Sequence, residues 1–311
     1  LQSVPGSLVQ ALGGSSDDVN AILADMIGPG LNLGVTLAAD DPSQQTFDAR
    51  IQGAAITGGI AGALRPRELT LSRGTLQATV SPATAGAVQR LGGNQGASPS
   101  TVTLAGETTL QASIEPVTIP LKPGALEPDF ASAGDSSLRA AVALDRPLLV
   151  QGLHLGENTV TGGFSELSAQ VQMPLTALAP AGSGASSTGA MNLTARGTLV
   201  RSLQEPPIAT LNANFNRPAG GALTGSATLD NVNSTLADQA LGRPGYVSGA
   251  IGPTAKVTVN VSQASAESPI DIAADVQAER LTASGLRFTQ DDRALRLSGP
   301  MEVQWTIDPA W

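Results

Sequence analysis

Stretch after stretch of this 311-residue chain alternates apolar and polar side chains with a period of two. Leu110, Ala112 and Ile114 share one side of such a stretch, as do Leu138, Ala140, Val142 and Leu144, and again Leu167, Ala169, Val171 and Met173. Successive side chains leave a strand on opposite faces, so this spacing describes strands with one greasy and one wet side. A chain built mostly of such segments is committed to sheet structure in which every apolar face needs a partner.

Turn residues punctuate the pattern. The 35 Gly and 21 Pro bound short elements, and aromatics supply only 3% of residues, so the apolar surface comes from Leu, Val, Ile and Ala on thin layers. The first half predicts strands from Leu31, over Thr46 to Gln52, Ala55 to Leu64, Glu68 to Ser72 and Thr75 to Val80. Further strands are expected at Val102 to Leu104, Thr108 to Glu115, Val117 to Leu121, Leu138 to Leu144 and Leu148 to Leu153. Leu167 to Met173, Met191 to Leu199, Ile208 to Phe215 and Leu223 to Leu229 continue the series. A helix is predicted after Ser16, with Val19, Ile22, Leu23 and Met26 on one face, and a shorter one from Pro82 to about Leu91; Ala181 to Gly189 reads as a surface loop.

One module occurs twice. Gln10-Ala11-Leu12-Gly13 leads to Ile27-Gly28-Pro29 and the strand Leu31 to Leu37; Gln239-Ala240-Leu241-Gly242 leads to Ile251-Gly252-Pro253 and the strand Val257 to Val261. The echo continues. Pro269 to Ala273 stands against Thr46 to Arg50, Leu295 to Gly299 against Leu69 to Ser72, and Met301 to Pro309 against Thr75 to Pro82. We therefore divide the chain into a first repeat unit, 1–228, and the beginning of a second, continuous with it, 229–311.

A long meander with one apolar face has two outcomes. It can close into a β-sandwich or barrel, or remain an open, curled antiparallel sheet, a groove whose apolar side is occupied by something else, with a few short helices at its ends. The repeated aliphatic-x-aliphatic strands, the phrase Leu295-Arg296-Leu297-Ser298-Gly299 and segments such as Ala222 to Leu229 resemble the AsmA-like proteins of the bacterial envelope. That family is related in design to the bridge-like lipid transfer proteins. The resemblance implies the mainly β, open groove, a non-enzymatic role in holding or conducting phospholipid between membranes, and a periplasmic or envelope location in a bacterium with two membranes. It further implies anchoring to a membrane through segments outside this sequence. Candidate lining positions are Leu33, Val35, Leu110, Ile114, Val142, Leu144, Val171, Val257, Val259 and Val303. The competing class is a structural or adhesive β-repeat spacer of a cell surface, in which the same residues form a closed core.

Other chemistry finds little support in the residues. The formal net charge is -9, and the only lysines are Lys122 and Lys256, which opposes nucleic-acid binding. No Cys is present, which removes thiolate nucleophiles, thiolate metal sites and disulfides. His154 is the single histidine, too few for a two-histidine metal site, and reads as an ordinary strand or turn residue. Asp17-Asp18, Asp40-Asp41 and Asp291-Asp292 lack calcium-loop spacing and fit a helix start and two turns. Gly58-Gly59-Ile60-Ala61-Gly62 has no following helix and no nearby Lys, and predicts a bend in a strand rather than a phosphate loop. No catalytic residue, metal or cofactor is expected.

Overall fold

A computed structural model describes residues 2–5, 30–41, 43–82, 84, 103–155, 158–179, 189–218, 221–265, 268–291, 294–297 and 299–306. The helix expected after Ser16, the Gly28-Pro29 step, most of the segment from Pro82 to Val102 and most of the Ala181 to Gly189 loop lie outside these residues, as does Pro309.

The described chain is mainly β, one large antiparallel sheet that does not close into a barrel. Its first strands are β1 (Gln2–Pro5), β2 (Gly30–Asp41), β3 (Gln44–Gln52), β4 (Ile56–Arg65) and β5 (Glu68–Val80). Next come β6 (Thr103–Leu104), β7 (Thr108–Ile114), β8 (Val117–Pro120), β9 (Ser137–Leu144), β10 (Leu148–Leu155) and β11 (Asn158–Pro174). The second half contains β12 (Met191–Val200), β13 (Ala209–Arg217), β14 (Leu223–Asn233), β15 (Thr254–Gln263), β16 (Ile270–Ala278), β17 (Leu281–Asp291), β18 (Ala294–Leu297) and β19 (Glu302–Trp305).

The topology is a plain meander once collinear strands are joined. β7 and β8 lie end to end along β5, with Gly74 opposite Ile114 and Leu71 opposite Val117. β9 and β10 are likewise one line interrupted at Asp145-Arg146-Pro147, because Leu110 pairs with Leu144 and Leu104 with Val150 in a single register. Thr108 pins that interruption: it is 1% exposed, its hydroxyl donates to the Arg146 carbonyl at 2.7 Å, and the Thr109 N–H donates to the Asp145 carboxylate at 2.7 Å. Each line pairs only with its sequence neighbours, so the sheet grows sideways one strand at a time. At ~4.8 Å per strand it extends on the order of 70 Å in that direction.

Three expectations needed correction, all for the same reason. Glu68 to Ser72 and Thr75 to Val80 form one strand, β5, because a bulge between Ala61/Gly62 and their partners absorbs one residue at Ser72. β17 was not foreseen, and β11 begins at Asn158 rather than Leu167. Bulges shift the alternation by one: Ala283 and Leu286 flank Gly285 (φ 75°), and Phe164 and Leu167 flank the irregularity at Ser165. A strict period of two loses the strand at such a point.

The connection from β14 to β15 carries the helices α1 (Thr235–Ala240) and α2 (Tyr246–Ile251). Gly252, at φ 104°, ends α2 before Pro253. Asp238 joins the two turns; its carboxylate accepts from the Ser248 hydroxyl at 2.6 Å and from the backbone N–H groups of Val247 and Ser248. α2 reaches the far strands as well, where its Ala250 carbonyl accepts the Trp305 indole N–H at 3.0 Å and its Gly249 carbonyl accepts from Arg280 at 2.9 Å. None of the described helices is long and apolar enough to cross a membrane.

Val80, Val150, Val200, Ile208 and Ala209 are buried at the strand ends, and a separate cluster forms a small core. Val117, Ala133 and Leu175 are buried together, with Leu71, Ile119, Phe130 and Leu138 packed around them, where short 3-10 turns at Phe130–Ser132 and Leu175–Leu178 fold over the strand ends.

Candidate functional site

In an antiparallel ladder, directly opposed residues share a face, so the registers can be followed across the sheet. One row runs Leu33, Ile51, Gly58, Leu76, Ala112 and Val142 across β2, β3, β4, β5, β7 and β9. It continues through Ala169, Ala195, Ala213, Ala227, Val259, Ala274 and Leu286 to β17. The row two residues along passes through Val35, Ala49, Ile60, Gly74, Ile114 and Ala140, then Val171, Leu193, Phe215, Gly225, Val261, Ile272 and Phe288. Neither row contains a polar side chain.

A third row completes the band. Ala78, Leu110 and Leu144 lie in it on β5, β7 and β9, and Leu167, Gly197, Leu211, Leu229, Val257, Val276, Ala283 and Val303 carry it to β19. All ten lining candidates therefore fall on one face. The register brings Leu33, Val142 and Val259 into one row, Val35, Ile114 and Val171 into the next, and Leu110, Leu144, Val257 and Val303 into the third.

The opposite face is built from different chemistry. Its matching row reads Gly34, Arg50, Gly59, Thr75, Ser113, Ala141, Gln170, Thr194, Asn214, Ser226, Asn260, Ala273 and Arg287. Ion pairs there, such as Arg50 with Asp48 at 2.9 Å and Lys256 with Asp230 at 3.1 Å, are solvent-exposed and contribute little stability.

Among the described residues no second layer spans the whole apolar face; cover is confined to the core around Leu175, the α1–α2 connection and the strand ends where Val80, Val150, Val200 and Ala209 are buried. Val35 is 55% exposed, Leu37 69% and Val142 39%. Large aliphatic side chains in contiguous rows are thus left facing outward, far more apolar surface than scattered exposed residues present.

The band has relief. Four alanines, Ala169, Ala195, Ala213 and Ala227, stand side by side on β11 to β14. Val171, Leu193 and Phe215 flank them on one side and Leu167, Leu211 and Leu229 on the other, so a shallow furrow runs across the strands, along the length of the sheet. Same-face neighbours on a strand are ~7 Å apart, which sets the spacing of its walls. The sequence flagged the walls but not the floor, since an alanine is unremarkable until four strands bring four of them into one row.

The glycine run Gly58 to Gly62 lies in β4, where the pairing with β5 carries a bulge at Ala61/Gly62. Gly58 to Gly62 continue the β3–β4 ladder without a break. At Gly62 an added Cβ would collide with the Thr70 carbonyl and lie 2.8 Å from the Phe47 ring, and at Gly197 one would lie 3.2 Å from the Phe164 ring. These glycines make room for aromatic rings crossing from the next strand.

Hollows of roughly 380 Å³ beside Ser113, Arg139 and Gln170, 530 Å³ beside Asn260, Asp271 and Arg287, and 450 Å³ beside Asn32, Asp48 and Arg50 are dents in the polar face. Each holds a single carboxylate with an arginine. His154 sits in β10 opposite Thr159. Among the described residues no cluster of His, Asp or Glu could hold a metal ion. Among the described residues, the one carboxylate with a displaced pKa is Asp238, held below the usual range first by the Ser248 hydroxyl and further by the N–H groups of Val247, Ser248 and Gly245, against the opposing effect of burial. Its part is to tie α1 to α2.

Comparison with protein-family models, with curated proteins and with solved structures finds no match to this chain.

Proposed function

We propose that the apolar face holds the acyl chains of phospholipid and that the chain serves lipid movement between membranes rather than catalysis. The observation that carries this reading is the uninterrupted apolar band from β2 to β17, two residue rows deep and three from β5 onward, backed by a largely polar opposite face. A spacer needs its apolar residues covered by its own chain, whereas Val35, Leu37 and Val142 face outward. Each acyl CH₂ placed on the band is withdrawn from water with a gain of up to ~0.8 kcal/mol. Head groups remain at the wet rim, where the strand ends carry polar turns.

The alanine row gives the acyl chain a direction. Lying in the furrow, it runs across β11 to β14, and successive lipids are arranged along the sheet. The resemblance to AsmA-like proteins supports a setting in the envelope of a bacterium with two membranes, with membrane attachment outside this sequence. No cofactor, metal or nucleic acid enters the reading.

Native mass spectrometry of protein purified without detergent, with solvent extraction of the same sample, tests it. Co-purified phospholipid that is lost in Val35→Asp, Ile114→Asp and Val142→Asp, each with an unchanged circular dichroism spectrum, is the expected result. A lipid-free protein that the same substitutions unfold identifies the face as a closed structural core.

A further inference from the structure

The last strands of the sheet reproduce the pairing of the first ones, with an added bulge at Gly285 on β17. The row Leu33, Ile51, Gly58, Leu76 on β2 to β5 has its counterpart in Val257, Val276, Ala283, Val303 on β15, β16, β17 and β19. Phe47 opposite Gly62, itself opposite Leu71, corresponds to Ile272 opposite Phe288, itself opposite Leu297, so that Ile272 rather than Ile270 takes the place of Phe47. Entry into the two sets is the same as well: Val4 pairs with Leu31 as Val232 pairs with Ala255. β18 and β19 together therefore stand where β5 stands.

The outer edges of the two differ in one respect. β5 is covered by β7, with Leu76 opposite Ala112 and Ala78 opposite Leu110. β19 pairs with β17 alone among the described residues. The N–H and C=O of one strand residue point to the same neighbour. The Thr79 N–H donates inward to the Ala55 carbonyl, so Leu76 and Ala78 direct their backbone groups toward β7. The Thr306 N–H donates inward to the Arg280 carbonyl, so Val303 and Trp305 direct theirs outward in the same way. Ala78 is 7% exposed and its counterpart Trp305 49%.

We propose that the outer edge of β19 is a strand-docking site, and that its occupant is an antiparallel strand of the β7 pattern, aliphatic or small residues alternating with polar ones. In the β5 register, a residue like Ala112 stands opposite Val303 and one like Leu110 opposite Trp305. The docked strand adds its own apolar side to the outward-facing band, so the face is extended sideways without a seam. Backbone hydrogen bonds supply the affinity and the alternation supplies the choice of register. This holds whether or not the face carries lipid.

The probe is a synthetic peptide of residues 105–116 added to the intact chain, followed by amide hydrogen exchange of β19. Exchange at Val303 and Trp305 slows at least tenfold at saturating peptide, and a scrambled peptide has no effect. Val303→Pro removes an outward N–H while leaving the inward ladder of Glu302, Gln304 and Thr306 in place. It lowers peptide affinity at least tenfold, with the exchange of β16 unchanged. Absence of protection, protection that survives Val303→Pro, or protection at β1 or on the apolar face overturns the proposal. Concentration-dependent protection of β19 without peptide overturns it in favour of pairing between two copies.

Discussion

Phe215 on β13 lies over Gly225 on β14, so close that a Cβ on Gly225 would collide with the ring. A residue without a side chain is the complement of a ring that must cross to the next strand. Gly225→Val displaces the ring and destabilises the fold by about 1–3 kcal/mol. Combining it with Phe215→Ala recovers part of that loss, a coupling that urea unfolding of the four-member cycle measures.

An uncovered face and a closed one respond differently to the same insult. Leu175, 1% exposed, anchors the small core, and Leu175→Ala costs about 2–4 kcal/mol. Val142→Asp, on the open band, costs under about 1 kcal/mol despite introducing a charge. Denaturant midpoints of the two variants separate accordingly, and equal losses would show that the band is packed.

Filling the furrow affects binding more than stability. Ala213 has Ala195 and Ala227 as its neighbours in the row, and Ala213→Phe closes the floor between them. Thermal stability shifts by no more than about 1 kcal/mol, because the added ring meets an open surface. Co-purified lipid per chain falls by at least half.

Asp238 makes the α1–α2 connection acid-sensitive. Its folded pKa is lowered, so its contribution is complete above the ordinary carboxylate range and disappears as the pH drops through the folded value. Asp238→Ala is less stable than the parent from neutral pH down to about pH 5, and the difference shrinks below about pH 4. Asp238→Asn keeps one acceptor for the Ser248 hydroxyl and falls between the two. Unfolding measured across that pH series checks the sign.

Alternation in Leu110 to Ile114 or Leu138 to Leu144 was enough to place a strand and assign its apolar side, since orientation within a strand is a local property of the backbone. That the ten candidates lie on the apolar sides of their strands was legible for that reason, and so was the stop at Gly252-Pro253, where φ 104° suits glycine. Local pattern failed wherever a bulge changed its phase: Gly285 hid β17 and Ser165 hid the first half of β11. Rows across the sheet were out of reach for a different reason. Ala169, Ala195, Ala213 and Ala227 are distant in sequence, and only the pairing register makes them one floor; the same register puts Phe215 over Gly225 and leaves Val303 and Trp305 with outward backbone groups. Which side of each strand is apolar depends on neighbours two residues away and can be read along the chain. That these sides join into one open face depends on register and closure, set by contacts between residues tens to hundreds of positions apart, and emerges only when the sheet is assembled.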